Sequence, residues 1–287
     1  MILNQKDSNA ILCQKLYGIT IFLLLINNLR YTFDYFKRIN MKVISVSDYN
    51  EIKDIVEKFN YETENDILFR GEPKSLVPSI VDKCSFNSYA DLVVKEKSLL
   101  EEFNEYSHIK YSYKTGNERD WEIRIAAREY GLASSLMDWT NSLDIALEFA
   151  IHDFLSKQIS FTSLWILDKL KLEKLNVSDN CILNFNEVFI PTIIQHPLYS
   201  EESYYRRKSI QGGYFLKQPS QDITIPLNSN PIYSESLTQI IIPDSVVGNI
   251  WKNIASKIDL DKDACISLNN SDITLSKICS GLNLRYK

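Results

Sequence analysis

Apolar residues recur at helical spacing through the first half of the chain and gather into short continuous runs in the second. Ile52, Ile55, Val56 and Phe59 mark a helix preceded by Ser47 and Asp48, with Ser47 read as its cap. The run before it, starting at Met41, is short and β-rich. Ile67, Leu68 and Phe69 predict a buried strand that Gly71 and Pro73 end, which puts Arg70 at the strand's edge. Leu92, Val93, Leu99, Leu100 and Phe103 predict a helix over 90–106, and a further helix runs from Trp121 to Glu129. Gly131 stands just past the last turn of that helix, where a left-handed residue ends many helices. Residues 131–141 are expected to form a loop and 142 to about 154 a helix, capped by Asp138, Thr140 or Asn141. Core strands are expected at 163–168, 212–218 and 236–243, then a helix near 246–258, with 170–202 mixed. This order predicts an α+β fold, helices mainly in the first half and a mixed sheet from the second half, in a single domain over 41–287.

The first forty residues do not continue these patterns. Residues 16–29 are uncharged, but the run is shorter than the ~18–20 residues that a membrane-spanning helix needs. Arg30 and Tyr31 follow it in place of a small-residue cleavage site. Residues 1–40 are read as an N-terminal extension outside the main fold, with membrane contact through residues 16–29 as the alternative.

Charge and cysteine usage narrow the function classes. A formal net charge of -5 and a pI near 5.4, with no long basic run, argue against general nucleic-acid binding. The five cysteines (Cys13, Cys84, Cys181, Cys265, Cys279) are scattered, with no C-x-x-C pair, so neither a zinc site nor a disulfide framework is expected. Reduced thiols in a cytoplasmic protein are the simplest reading. His108, His152 and His196 stand apart from the other polar motifs and suggest no Ser-His-Asp arrangement.

Two stretches carry candidate chemistry. In LFRGE, the Arg70 guanidinium offers a fork of donors for an anion, and Gly71 would let a ligand approach the backbone. The competing reading pairs Arg70 with Glu72 on a turn. In AAREYGLASSLMDWTNSLDIALEFA, Ser134, Ser135, Asp138, Trp139 and Thr140 stand between two helices as possible pocket walls. Capping and core packing are the competing readings for these residues.

The motifs also resemble, in one order, the FRG domain family, named for a Phe-Arg-Gly motif. The blocks are Arg70 in LFRGE, Tyr130-Gly131-Leu132 with Leu136 to Thr140, Ala146 to Ala150, Ile210 to Phe215, and Ile240 to Pro243, spread over about residues 45–285. The chain departs from the family pattern in having Arg128-Glu129 before Tyr-Gly-Leu, where Gln-His is usual. It also has Ala133-Ser134-Ser135 after it, where Pro-Thr-Arg is usual. The same order of motifs resembles the three-part signature of ADP-ribosyltransferases, and this implies an ADP-ribosyltransferase-like fold and NAD as cofactor, without a metal. That resemblance implies ligand binding by Arg70, Gly71, Tyr130, Ser134, Asp138 and Thr140, and catalysis by Glu129, Gln211 or Glu235. Cleaving the nicotinamide–ribose bond develops positive charge on the ribose, which a carboxylate stabilises better than the neutral Gln211. Glu148 is read as facing solvent on the A-x-x-F-A helix. The preferred expectation is a pocket for an anionic nucleotide-like ligand in a prokaryotic defence or toxin enzyme. The alternative is a non-catalytic ligand- or protein-binding module.

Overall fold

Near the centre of the fold, strand β4 (Phe161–Asp168) is buried along almost its whole length, and its apolar run Leu164–Leu167 is what a strand covered on both faces calls for. A computed structural model describes residues 41–63, 66–72, 75–107, 109, 116–157, 160–173, 191–195, 213–258 and 270–287. These elements belong to one compact unit, Met41–Lys287. In chain order they are β1 (Lys42–Ser45), α1 (Tyr49–Glu62), β2 (Ile67–Gly71), α2 (Ser79–Lys83), α3 (Tyr89–Tyr106), α4 (Asn117–Glu129) and β3 (Leu136–Thr140). There follow α5 (Leu143–Lys157), β4, α6 (Lys169–Glu173), β5 (Thr192–Gln195), β6 (Gly213–Lys217), β7 (Leu237–Pro243), α7 (Asp244–Ile258) and α8 (Asn270–Arg285). The strands form one mixed sheet in the order β1-β7-β4-β2-β3-β6-β5. β1 pairs with β7 in parallel and the other pairs are antiparallel. The α+β class holds. β2 and β3, however, come from the helix-rich first half and lie in the middle of the sheet.

Side-chain alternation divides the core. Ile67, Phe69, Leu164, Ile166, Ile240 and Ile242 pack on one face of the sheet against α1, α5 and α7. Leu68, Trp165, Leu167, Met137, Trp139 and Leu216 point to the other face, under Leu76, Leu227 and Tyr233. Beyond β3, Leu136, Phe215 and Ile194 pack against Trp121 and Ile125 of α4. A fourth cluster joins α2, α3, α4 and α8 through Ile80, Leu92, Phe103, Ala127 and Leu282.

Three local expectations are corrected. The expected loop at 131–141 is a short loop followed by β3, because Leu136, Met137, Trp139 and Thr140 are all buried and find ladder partners in β6. The cap of α1 is Asp48, whose side chain accepts from the Glu51 N–H at 2.9 Å, while Ser47 donates its N–H and hydroxyl to the Glu51 carboxylate. The cap of α5 is Ser142, which accepts from the Ile145 N–H through its hydroxyl and from the Ala146 N–H through its carbonyl. Thr140 accepts from the Ser142 N–H at 3.0 Å, so it sets the turn that leads into the cap. Gly131 does end α4, with φ of +89°. The Leu132 N–H bonds to the Ala127 carbonyl and the Gly131 N–H to the Arg128 carbonyl, the paired bonds of a Schellman motif.

Candidate functional site

β2 and β3 share one bridging pair, Phe69 with Thr140, and there the ladder stops. Arg70, the next residue of β2, donates from Nη1 to the main-chain carbonyl of Asp138 at 2.5 Å. Its Nη2 lies 3.4 Å from a Glu72 carboxylate oxygen, so the expected pairing with Glu72 is present as well. Arg128, in the last turn of α4, donates from Nε and Nη2 to the same Asp138 carboxylate oxygen at 3.0 and 2.6 Å. Its Nη1 donates to the Ser79 hydroxyl at 2.7 Å. Burial opposes the charge on Arg128, but Asp138, followed by Glu129 and Glu72, outweighs it and holds the guanidinium above its ordinary pKa. Asp138 thus ties the end of β2 to the end of α4.

Around these groups is a cleft of about 500 Å³, inside the roughly 300–1,000 Å³ typical of small-molecule pockets. Arg70, Glu72, Arg128, Glu129 and Asp138 supply its charged wall. Phe69, Trp139, Ile145, Ala146 and Phe149 supply its apolar wall, and Gly213 of β6 closes one side. Phe149 is 51% exposed, whereas its helical neighbours Ala146, Leu147 and Ala150 are buried. An aromatic ring left in solvent beside a charged wall is a platform on which a flat ligand can stack.

Of the residues singled out in the sequence, Arg70, Gly71, Glu129, Asp138 and Thr140 all border this cleft. Gly71 does so for a reason the sequence reading missed: a Cβ there would stand 2.0 Å from the Ala146 carbonyl oxygen and 2.4 Å from the Ala150 nitrogen. What approaches the missing side chain is the backbone of α5, not a ligand. Tyr130 is 3% exposed and packs against Phe103 within the helical core. Ser134 is buried away from the cleft, where it and Ser135 donate to the Glu96 carboxylate. Glu235 is exposed in the turn before β7 and does not border the cleft. Gln211 lies outside the described residues, as do residues 1–40, His108 and His196. Glu148, expected to face solvent, is half-buried, and burial raises its carboxyl pKa against the opposing influence of His152.

Arg128 and Phe149 escaped the residue-level reading. Arg128 could have been found as the cation that stands in a pattern position of the resembling family and in the last turn of a helix. Phe149 could have been found as the aromatic off the buried stripe of its own helix. Among the described residues no group of three or more His, Cys, Asp or Glu side chains is arranged to hold a metal ion. Among them, too, no helix is long and apolar enough to cross a membrane.

Fold and cleft together define an α+β protein with a small-molecule-sized pocket beside a paired-arginine cluster. The family model of the FRG domain matches residues 65–158, so the chain carries an FRG domain there. The match is narrower than the span of the motif blocks and leaves those at 210–215 and 240–243 outside it. Every residue bordering the cleft except Gly213 falls within it. No curated protein and no solved structure matches the chain.

Proposed function

We propose that the cleft binds a nucleotide-like small molecule that carries a flat ring and an anionic group, with NAD as the first ligand to test. The observation that carries this reading is the half-exposed Phe149 ring bordering the same cleft as the Arg70 and Arg128 guanidiniums. The charged wall has two guanidiniums against three carboxylates (Glu72, Glu129 and Asp138). Such a wall suits a ligand of both signs, and NAD combines a cationic nicotinamide ring with an anionic pyrophosphate. The reaction served would be ADP-ribosyltransferase-like: the nicotinamide leaves with the electron pair of its bond to ribose C1′, and a nucleophilic acceptor supplies a new pair. Glu129 is the carboxylate assigned to stabilise the positive charge that develops on the ribose. One observation favours a second reading, a binding module without catalysis: Asp138 and Glu72 already engage both guanidiniums, and among the described residues no histidine borders the cleft.

Titration calorimetry with NAD, together with detection of free nicotinamide, tests both readings. Phe149→Ala should weaken NAD binding about tenfold, since stacking of a base on an aromatic side chain contributes about 1–3 kcal/mol. It should leave the melting temperature nearly unchanged, because the ring is half in solvent. Glu129→Gln should slow nicotinamide release by at least about tenfold at nearly constant affinity, as expected for an interaction made in the transition state. Binding without release would favour the module. A wild-type protein that does not bind NAD would remove NAD from the proposal.

A further inference from the structure

A smaller cavity of about 160 Å³ adjoins the cleft and shares Arg70, Glu72 and Arg128 with it. Its remaining polar lining is Ser75, Ser79, Asp82 and Lys83. The two spaces differ in sign. Three cations face two carboxylates in the smaller one, and two cations face three carboxylates in the larger. Lys83 is the cation that only the smaller space has, while Glu129 and Asp138 border only the larger. The Lys83 ammonium donates to the Gly131 carbonyl at 3.1 Å, and among the described residues no carboxylate lies within ion-pair distance of it. Burial lowers its pKa and the like charge of Arg128 lowers it further, against the opposing pull of Asp138. An anion between Lys83 and Arg128 would offset both effects by its charge, beside the Asp138 carboxylate that already pairs with Arg128. Ser79, which holds Arg128 Nη1 at 2.7 Å, adds a hydroxyl to the same wall.

We infer that this smaller cavity is a phosphoryl subsite, with Lys83 and Arg128 as its charged donors and Ser79 beside them. The cavity of about 160 Å³ equals the liquid volume of about five waters at ~30 Å³ each, enough for a phosphoryl group. Lys supplies a point charge and Arg a planar fork, and both bind phosphate oxygens through charge-assisted hydrogen bonds. The subsite gives the ligand a direction: its phosphoryl end enters the positive cavity, and its ring remains in the larger cleft beside Phe149. That assignment of the ring rests on the nucleotide reading above. The subsite itself rests on the cavity and its charges.

Calorimetry with adenosine, ADP and inorganic pyrophosphate at low salt tests the subsite separately. The wild-type protein should bind ADP at least about tenfold more tightly than adenosine and should bind pyrophosphate alone. Lys83→Gln should bring ADP to the affinity of adenosine, leave adenosine unchanged and abolish pyrophosphate binding, while Lys83→Arg should retain most of the ADP affinity. The substitution is expected to fold, because the Gly131 carbonyl keeps its second donor, the Asn283 side-chain amide at 2.9 Å. Equal affinities for ADP and adenosine in the wild type, or a ratio that Lys83→Gln leaves intact, would overturn the subsite. Pyrophosphate binding that is lost in Lys83→Gln, with neither adenosine nor NAD bound, would uphold the subsite and remove the nucleotide reading instead.

Discussion

Between β2 and α5 there is room at position 71 for a hydrogen atom and nothing larger. Replacing Gly71 with alanine puts a methyl group 2.0 Å from a main-chain oxygen of the helix, and neither backbone can yield without moving the sheet or the helix. Overpacking a core typically costs about 1–3 kcal/mol, and a clash with backbone belongs at the upper end or beyond. Gly71→Ala is therefore expected to lose about 3 kcal/mol or more in urea denaturation, and stability within about 0.5 kcal/mol of wild type would show that the helix is free to retreat. The glycine was visible in the sequence, but its reason was not, since the helix it touches lies some seventy-five positions further along. Arg70 was legible for the opposite reason. A cation at a strand's edge beside Glu72 announces both of its possible partners, and the structure adds the Asp138 carbonyl, which no local pattern could supply.

At the scale of elements, the helices were easier to read than the strands between them. The buried faces of α1 and α3 repeat every three to four residues, and Gly131 marks the end of α4 by its own chemistry. β3 went unseen because Asp138 and Thr140 make it look like a polar connection. Its strand character comes from β6, seventy-odd residues later. The outer end of β6 carries a titration that is open to test. Lys217 is 2% exposed, and burial lowers its pKa from 10.5 to about 8, with Glu96 opposing and Arg124 adding to the effect. Between those two values the folded lysine is neutral while the unfolded chain still holds its proton. The unfolded state then binds more protons, so this residue's contribution makes stability rise with pH. Wild type should gain on Lys217→Met between pH 8 and 10 by up to about 1.4 kcal/mol per pH unit, as followed by chemical denaturation. A constant difference across that window would mean that the folded lysine keeps its charge.

For the molecule as a whole, the α+β class followed from where the helical and strand-like runs fall. The strand order did not follow, because β2 and β3 are neighbours to strands drawn from the far half of the chain. The seven strands and both cavities lie between Met41 and Lys287. A chain starting at Met41 is accordingly expected to fold with a melting temperature close to that of the full chain and to bind the same ligands. Insolubility, or a much lower melting temperature, would assign residues 1–40 a part in the core. The single bridge between Phe69 and Thr140 has a mechanical consequence. The ladder is continuous within β1-β7-β4-β2 and within β3-β6-β5 and is reduced to one pair between the two parts, so the seam with the fewest ladder bonds runs alongside the cleft. Arg70 stands on one bank of that seam and Arg128 with Asp138 on the other. A molecule gripping both banks would act as a strut, and amide hydrogen exchange should slow along Arg70–Glu72 and Asp138–Thr140 when the cleft is filled.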